Sequence, residues 1–469
     1  MPDRPPMAPG SFLAGSLPVL RAGFLSACET LFAQHGDVVR VRVGPPGIGR
    51  ELTFLFSAEA AHRVLAANQA NYRKDNVNYG ELRHALGDGL LTSQDETWQR
   101  QKRFLQPLFT HKRVAGYAAI FAAETDRLAD EWRGAAGDPQ IGATHIGATQ
   151  IGGTRLVDMH EEMTRLTLRI VCRVLFGRDV DKALPVVQRW VDPLGKAIRR
   201  RALMPVRVPH SWPVPVNRLI QRGQAELFEV CDEIIASRRS SGPGSAGSDL
   251  LGLLADARDG GEALSDEEVR AQVLVFLLAG HETTATALTS AIYRLGAHPE
   301  VQERLRAEVS GPAATPSAEE ALGLPYTTMV LKETLRLYPS APVIGRRAVA
   351  DDEIGGFRIT AGSDVLVSPW VVHRHPAHWP DPMRFEPERF TPEREKARDR
   401  YAWYPFGGGP RTCIGMYFSL LEGVVALAGL ARHFAFESPA EQPAYTHDVT
   451  LRPAAGMPIR VTHREVVTR

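Results

Sequence analysis

The stretch YPFGGGPRTCIG, residues 404–415, decides how this chain is read. A cysteine, Cys413, stands among glycines, behind Arg411 and just ahead of a helix-like run, MYFSLLEGVVALAGLA, that starts at 416. Gly407, Gly408 and Gly409 permit backbone angles that side chains disfavour, so the chain can turn tightly there. Backbone amides and a helix N-terminus favour an anion, which on a cysteine is a thiolate. A thiolate held by backbone donors suits one axial side of a haem iron. The plain alternative is a buried structural cysteine in front of a helix, and the cysteine alone does not choose between the two.

Working outward, the next informative stretch is FLLAGHETTATAL, residues 276–288. His281 and Glu282 lie side by side in a run that is otherwise apolar, small or hydroxylated. Buried charge is costly unless something pairs or uses it. A His-Glu pair on a helix begins the zinc-protease signature H-E-x-x-H, but the second histidine would fall at 285, which is Ala285. The zinc reading fails by spacing. The surrounding segment predicts a long helix: Ser265 and Glu268 have capping-box spacing, apolar sequence runs to Gly296, and Pro299 follows. About thirty residues make a rod of about 45 Å, long enough to span a domain.

Composition sets the frame. The 469 residues are 44% hydrophobic and 23% charged, an ordinary globular balance. Lys plus Arg is 55 and Asp plus Glu is 54, so the net charge of +1 points to neither nucleic acid nor an acidic partner. Cys28, Cys172, Cys231 and Cys413 are widely separated, with no C-x-x-C pair, which fits a reducing cytoplasm better than a disulfide framework. The start, MPDRPPMAPGSFLAGSLPVL, is broken by prolines and an early acid and does not read as a signal peptide. No run approaches the length of a spanning helix, so no membrane anchor is expected.

Residues 36–44, GDVVRVRVG, followed by LTFLF, read as strands, and IGGFRITAGSDVLVSP near 354–369 reads as a short hairpin. Between and beyond them helical spacing dominates, as in LVDMHEEMTRLTLRIVCRVLFG. The expected class is mainly α with a small β portion, one large domain over residues 1–469. SSGPGSAGSD (240–249) and the four-proline segment 204–217 are expected loops. IGATHIGATQIGGTR (141–155) repeats a pentapeptide three times, too few for a solenoid, and reads as a surface loop or short hairpin.

The pattern F-x-x-G-x-R-x-C-x-G is met in full by Phe406, Gly409, Arg411, Cys413 and Gly415. ETLR supplies Glu333 and Arg336, PERF spans 387–390, AGHETT spans 279–284, and Trp98 with Lys102 nearly completes W-x-x-x-R. With these motifs in this order the chain resembles the cytochrome P-450 family of haem-thiolate monooxygenases, soluble bacterial members in particular, over almost its whole length. The resemblance implies the cytochrome P-450 fold with its long central helix over haem b (iron protoporphyrin IX), and Cys413 as the iron's protein ligand. It implies that Phe406 and Gly415 shape the cysteine loop, and that Trp98, Arg346 and Arg411 serve the haem propionates. Lys102 stands where the family usually has arginine or histidine; it keeps the charge and loses the bidentate fork. Lys74 is a weaker candidate for the same task, since a lone lysine before a loop is usually solvated.

Ala279 and Gly280 would leave room for dioxygen on the face opposite Cys413. Glu282 and Thr283 would be the catalytic acid and alcohol that relay protons, and His281 would pack or hydrogen-bond. Glu333 and Arg336 share a helix face and, with Arg389, would form a structural ion-pair cluster. The expected reaction inserts one atom of O2 into an apolar small molecule: a terpenoid, a fatty acid or a polyketide-like compound. The stretch after Cys413 is too short for a flavin domain, so electrons are expected from a ferredoxin or flavodoxin and its NAD(P)H-dependent reductase. Arg100, Lys102, Arg103, Lys112 and Arg113 would be the docking face. The pocket is expected from the 75–92 loop, the 186–216 lid, Ala279 and the Val343-Ile344 turn. Peroxide-dependent hydroxylation, hydroperoxide isomerisation and a non-enzymatic haem sensor are the competing readings, and the Glu282-Thr283 pair argues against them.

Overall fold

The computed structural model describes residues 2–47, 49–134, 149–151, 154–177, 180–202, 208–240, 249–259, 261–310, 316–441, 443–447 and 450–464. Its contacts group into two units. The first comprises Met1–Asn76, Lys332–Met416 and Ala444–Ala454; the second comprises Val77–Leu331, Tyr417–Pro443 and Ala455–Arg469.

The first unit is built on a five-stranded sheet. Its order is Val38–Val43, Arg50–Leu55, Asp364–Val367, Ile344–Ala348, Tyr72–Arg73. The two N-terminal strands pair antiparallel, Val38 opposite Leu55, as their alternating valines predict. Arg50–Leu55 then runs parallel to Asp364–Val367, with Thr53 opposite Val365. Leu55, Val64, Leu65, Val365, Val367 and Val372 form the core beneath the sheet. The 354–369 stretch differs from its reading as one hairpin. Phe357–Ile359 turns back on Asp352–Ile354 through Gly355 and Gly356, both at positive φ, and Asp364–Val367 leaves to join the large sheet.

The second unit centres on the helix Asp266–Ala297. Both capping-box bonds are present: the Glu268 amide donates to Ser265 Oγ at 3.2 Å, and the Ser265 amide donates to Glu268 Oε2 at 2.9 Å. The helix is buried for most of its length because it is apolar nearly all round. The Met159–Phe176 helix packs along it, with Met163, Leu166, Ile170 and Val174 buried. The prolines at 209, 213 and 215 leave residues 208–214 irregular until helix Pro215–Ser240 begins, with proline in its tolerated first-turn position. A four-stranded sheet in the order Phe434–Glu437, Pro458–His463, Thr154–Asp158, Thr149–Ile151 completes the unit. The edge strand Thr149–Ile151 joins the end of the second pentapeptide copy to the start of the third; residues 141–148, 152–153 and 241–248 lie outside the described residues.

Candidate functional site

Residues 404–416 fold as a tight succession of turns. The Gly407 amide donates to the Tyr404 carbonyl and the Cys413 amide to the Phe406 carbonyl, both at 2.9 Å, so Phe406 clasps the cysteine from seven residues back. Gly409 sits at φ 65°, and a β-carbon there would lie 1.9 Å from the Leu65 carbonyl oxygen. No side chain fits at that position, which gives a physical reason for this glycine. Thr412 Oγ1 closes the turn on the Gly409 carbonyl at 2.7 Å. The helix Met416–His433 begins three residues after Cys413.

Cys413 is accessible, whereas Cys28, Cys172 and Cys231 are buried. Protein nevertheless surrounds it: burial raises the thiol's pKa, outweighing the Gly415 amide and Lys74, which both lower it. The loop therefore presents a thiol that a bound metal ion would have to deprotonate. Close to it stand cations. Lys74 is 7% exposed and Arg346 6%. Burial, together with Arg346 and Arg411, drives the Lys74 ammonium well below its ordinary pKa, while Cys413 acts in the opposite direction. Cations crowded in this way repel, and an anion joining them relieves the repulsion. A macrocycle carrying an iron for the thiolate and two carboxylates for these cations fits this donor set. Lys74, expected to be solvated, belongs to the cluster.

The central helix carries the other candidates. Ala279 is exposed midway along this mostly buried rod, and Glu282 and Thr283 are half-buried beside it. Thr283 Oγ1 donates to the Ala279 carbonyl at 2.8 Å, the helix-interior bond expected of it. Gly280 is different. A β-carbon on it would lie 2.9 Å from Val171 Cγ2 of the Met159–Phe176 helix, so its small size admits a neighbouring helix. His281 is buried, its Nδ1 bonded to the Leu277 carbonyl, and burial lowers its pKa below the usual imidazole value.

Trp98 and Lys102 share the helix Asp95–Leu105, with the ammonium 5.1 Å from the centre of the indole ring. The expected docking cations divide. Arg100 is held by Glu268, by Glu262 at 3.2 Å and by the Ala263 carbonyl, and Arg103 by Asp259 at 2.8 Å. Lys112 and Arg113 remain exposed.

The Glu333 cluster is assembled as expected. Glu333 and Arg336 are fully buried and joined by two bonds of 2.6 and 2.8 Å, with Arg389 Nε 3.5 Å from Glu333. Two buried groups had no sequence signal. Arg201 bonds Glu81 at 2.6 Å, the Val208 carbonyl at 3.0 Å and the Asn217 amide oxygen, beside a stacked His84–His210 pair. Burial raises the pKa of Glu422, on the helix after Cys413, well above the usual carboxylate range, and its bond to Thr284 offsets this only in part.

A cysteine clasped in a glycine turn beside buried cations is the donor set expected of a haem-thiolate protein. The family model described as Cytochrome P450 matches residues 5–457, and the chain belongs to that family. It is similar to two proteins of Streptomyces melanosporofaciens. Cyclooctat-9-en-7-ol 5-monooxygenase is 34% identical over 92% of this chain and 90% of its own length. Cyclooctatin synthase is 34% identical over 89% and 88%. The crystal structure of the cytochrome P450DA heme domain superposes with a TM-score of 0.81 at 28% identity, covering 99% of each chain. The protein is thus an oxidoreductase of the monooxygenase kind. Among the described residues no helix is long and apolar enough to cross a membrane.

Proposed function

We propose that this protein binds haem b through Cys413 and inserts one oxygen atom from O2 into an apolar, terpenoid-type small molecule. The observation that carries the reading is the Cys413 turn with Lys74 and Arg346 buried nearby. When bound, haem supplies the O2 binding and reductive activation that no side chain can perform. Cys413 holds the iron. Arg346, Arg411, Lys74, Trp98 and Lys102 would serve the propionates. The Phe406 carbonyl anchors the Cys413 amide and the Gly415 amide bonds the thiol. Ala279 and Gly280 would leave room for O2, Glu282 takes protons from solvent and Thr283 holds one at Oγ1.

The substrate class draws support from the two Streptomyces relatives, one of which is named for oxidising an alkenol. Electrons come from a ferredoxin or flavodoxin with its NAD(P)H-dependent reductase, and the separated free cysteines support a reducing cytoplasm. The test has two parts. The reduced, carbon-monoxide-bound protein is expected to show the strongly red-shifted Soret band of thiolate ligation, absent in Cys413→Ser; a band retained in Cys413→Ser refutes the ligand. A panel of cyclic terpene alcohols, fatty acids and macrolides is then titrated for the high-spin spectral shift. Turnover is measured with NADPH and surrogate partners against hydrogen peroxide alone. Turnover by peroxide but not by NADPH would favour the peroxide-dependent reading.

A further inference from the structure

The Met159–Phe176 helix meets the central helix at two successive turns, and both contacts fall on the residues just before Glu282. Val171 Cγ2 occupies the space a side chain at Gly280 would need, 2.9 Å from its β-carbon position. One turn earlier, Thr167 is fully buried and its Oγ1 lies 2.9 Å from the His281 carbonyl oxygen and 2.9 Å from its own helix's Met163 carbonyl, with the Thr164 carbonyl at 3.3 Å. A hydroxyl has one proton to give, so these carbonyls share it. On the central helix, the Leu277 carbonyl takes the His281 ring, the Ala279 carbonyl takes Thr283, and the Gly280 carbonyl takes Thr284 Oγ1 at 3.2 Å. The carbonyls of 277, 279, 280 and 281 thus each carry a side-chain donor, and Thr167 is the one that comes from another helix. Three of these bonds are internal to the central helix and turn with it, so its rotation against the Met159–Phe176 helix is tied by the Thr167 bond and the Val171 contact.

We infer that Thr167 is a positioning residue for proton delivery: through the His281 carbonyl, and with Val171 seated on Gly280, it sets the rotation of the central helix and so the aim of Glu282 and Thr283. This rests on the reading of those two residues as the acid and the alcohol. Gly280 then serves helix approach as much as room for oxygen, and His281 contributes its carbonyl to the brace.

The holoenzyme can be tested in two ways. Hydrogen exchange at the amides of 281–287 is expected to speed up about five-fold in Thr167→Val, the effect of one lost hydrogen bond, and to stay at the wild-type rate in Thr167→Ser. Thr164→Val is the control, because Thr164 Oγ1 bonds the His160 carbonyl of its own helix. Coupling is then read with β-ionone as the probe, a ferredoxin and its reductase. Peroxide released per NADPH should rise about three-fold in Thr167→Val at unchanged haem content, and not in Thr164→Val. Gly280→Ala should also uncouple, and Val171→Ala in the same chain should restore coupling, which it could not do if the added methyl were obstructing oxygen. Wild-type exchange and coupling in Thr167→Val overturn the inference, as do equal effects in Thr164→Val. Should Thr283→Ala stay tightly coupled, the acid–alcohol reading falls by itself, and the brace is judged on exchange at 281–287.

Discussion

Arg336→Ala is the sharpest test of how the fold around Cys413 is held. The guanidinium is fully buried and makes five bonds: two to Glu333, at 2.6 and 2.8 Å, and three to the carbonyls of His373, Pro382 and Arg384, at 2.9, 2.7 and 3.1 Å. Its removal leaves Glu333 with the Glu386 amide at 2.9 Å and Arg389 at 3.5 Å, and deprives three carbonyls of a donor. Removing one partner of a buried pair costs about 3–5 kcal/mol. The His373 carbonyl, whose bond is buried, moves the expected value to the upper end, since a buried acceptor left bare costs about 1–3 kcal/mol; the Pro382 and Arg384 carbonyls are half-buried or exposed and add less. Against a total stability of about 5–15 kcal/mol, that is a large share. Thermal unfolding followed by circular dichroism should show a drop on the order of 10 °C, with haem per chain falling in parallel. Arg336→Lys, which keeps a charge and loses the fork, should fall between. Arg358→Ala, which breaks an exposed pair with Asp351, should change little. An Arg336→Ala protein that melts within about 2 °C of wild type, fully loaded with haem, would refute the reasoning.

Four further outcomes are expected. Thr283→Ala should keep consuming NADPH and O2 while releasing more hydrogen peroxide and less product, and Glu282→Ala should slow turnover by about 10²–10⁴-fold, the double variant losing less than the product of the two. Arg201→Ala should raise hydrogen exchange across 77–86 and 215–225, and unchanged protection there would mean the Glu81–Arg201–Asn217 cluster holds nothing. Burial raises the Asp352 pKa, but its bonds to Arg63, Tyr72 and Asn68 outweigh this and bring it from 3.8 to about 2. The folded state thus binds this proton less readily than the unfolded one, so the contribution is complete above about pH 4 and lost as pH falls toward about 2; Asp352→Asn should flatten that limb of the melting-temperature profile. Reversing Lys112 and Arg113 should weaken reduction by an acidic ferredoxin in a salt-dependent way, whereas Arg103→Ala should not, because Arg103 is already paired with Asp259.

What the sequence disclosed was local. The capping box at Ser265, the Glu333–Arg336 pair and the clasped turn at Cys413 involve residues close along the chain, so spacing alone reveals them. The Thr283 bond to Ala279 is likewise one helical turn. What escaped reading depends on distant partners. Lys74 looked like an ordinary solvated lysine because the arginines that act on it, Arg346 and Arg411, stand far along the chain. Arg100 and Arg103 looked free for a partner because the Arg258–Ala263 hairpin that pairs with them lies 150 residues or more away. The 354–369 stretch divided between two sheets because the edge of Arg50–Leu55 offered Asp364–Val367 a better place than a local hairpin. Arg201 carried no motif at all, and its fully bonded burial is a property of four meeting segments.

The parallel pairing of Arg50–Leu55 with Asp364–Val367 also sets a clock for synthesis. Arg50 and Asp364, joined at 2.6 Å, are 314 positions apart. At roughly 5–20 residues per second, the early strands wait roughly 15–60 s on the ribosome before their neighbour exists. Until then they are an isolated hairpin, marginal in water, with Thr53, Phe54 and Leu55 on an open edge. The segment that emerges first is therefore among the last to find its place, and the Val77–Leu331 part of the second unit can begin to fold while it is still waiting. A pause placed before residue 364 lengthens the exposure of that edge, and one placed after it does not. Yield in a foreign host is thus a matter of where along the message translation slows, as well as of how stable the finished molecule is.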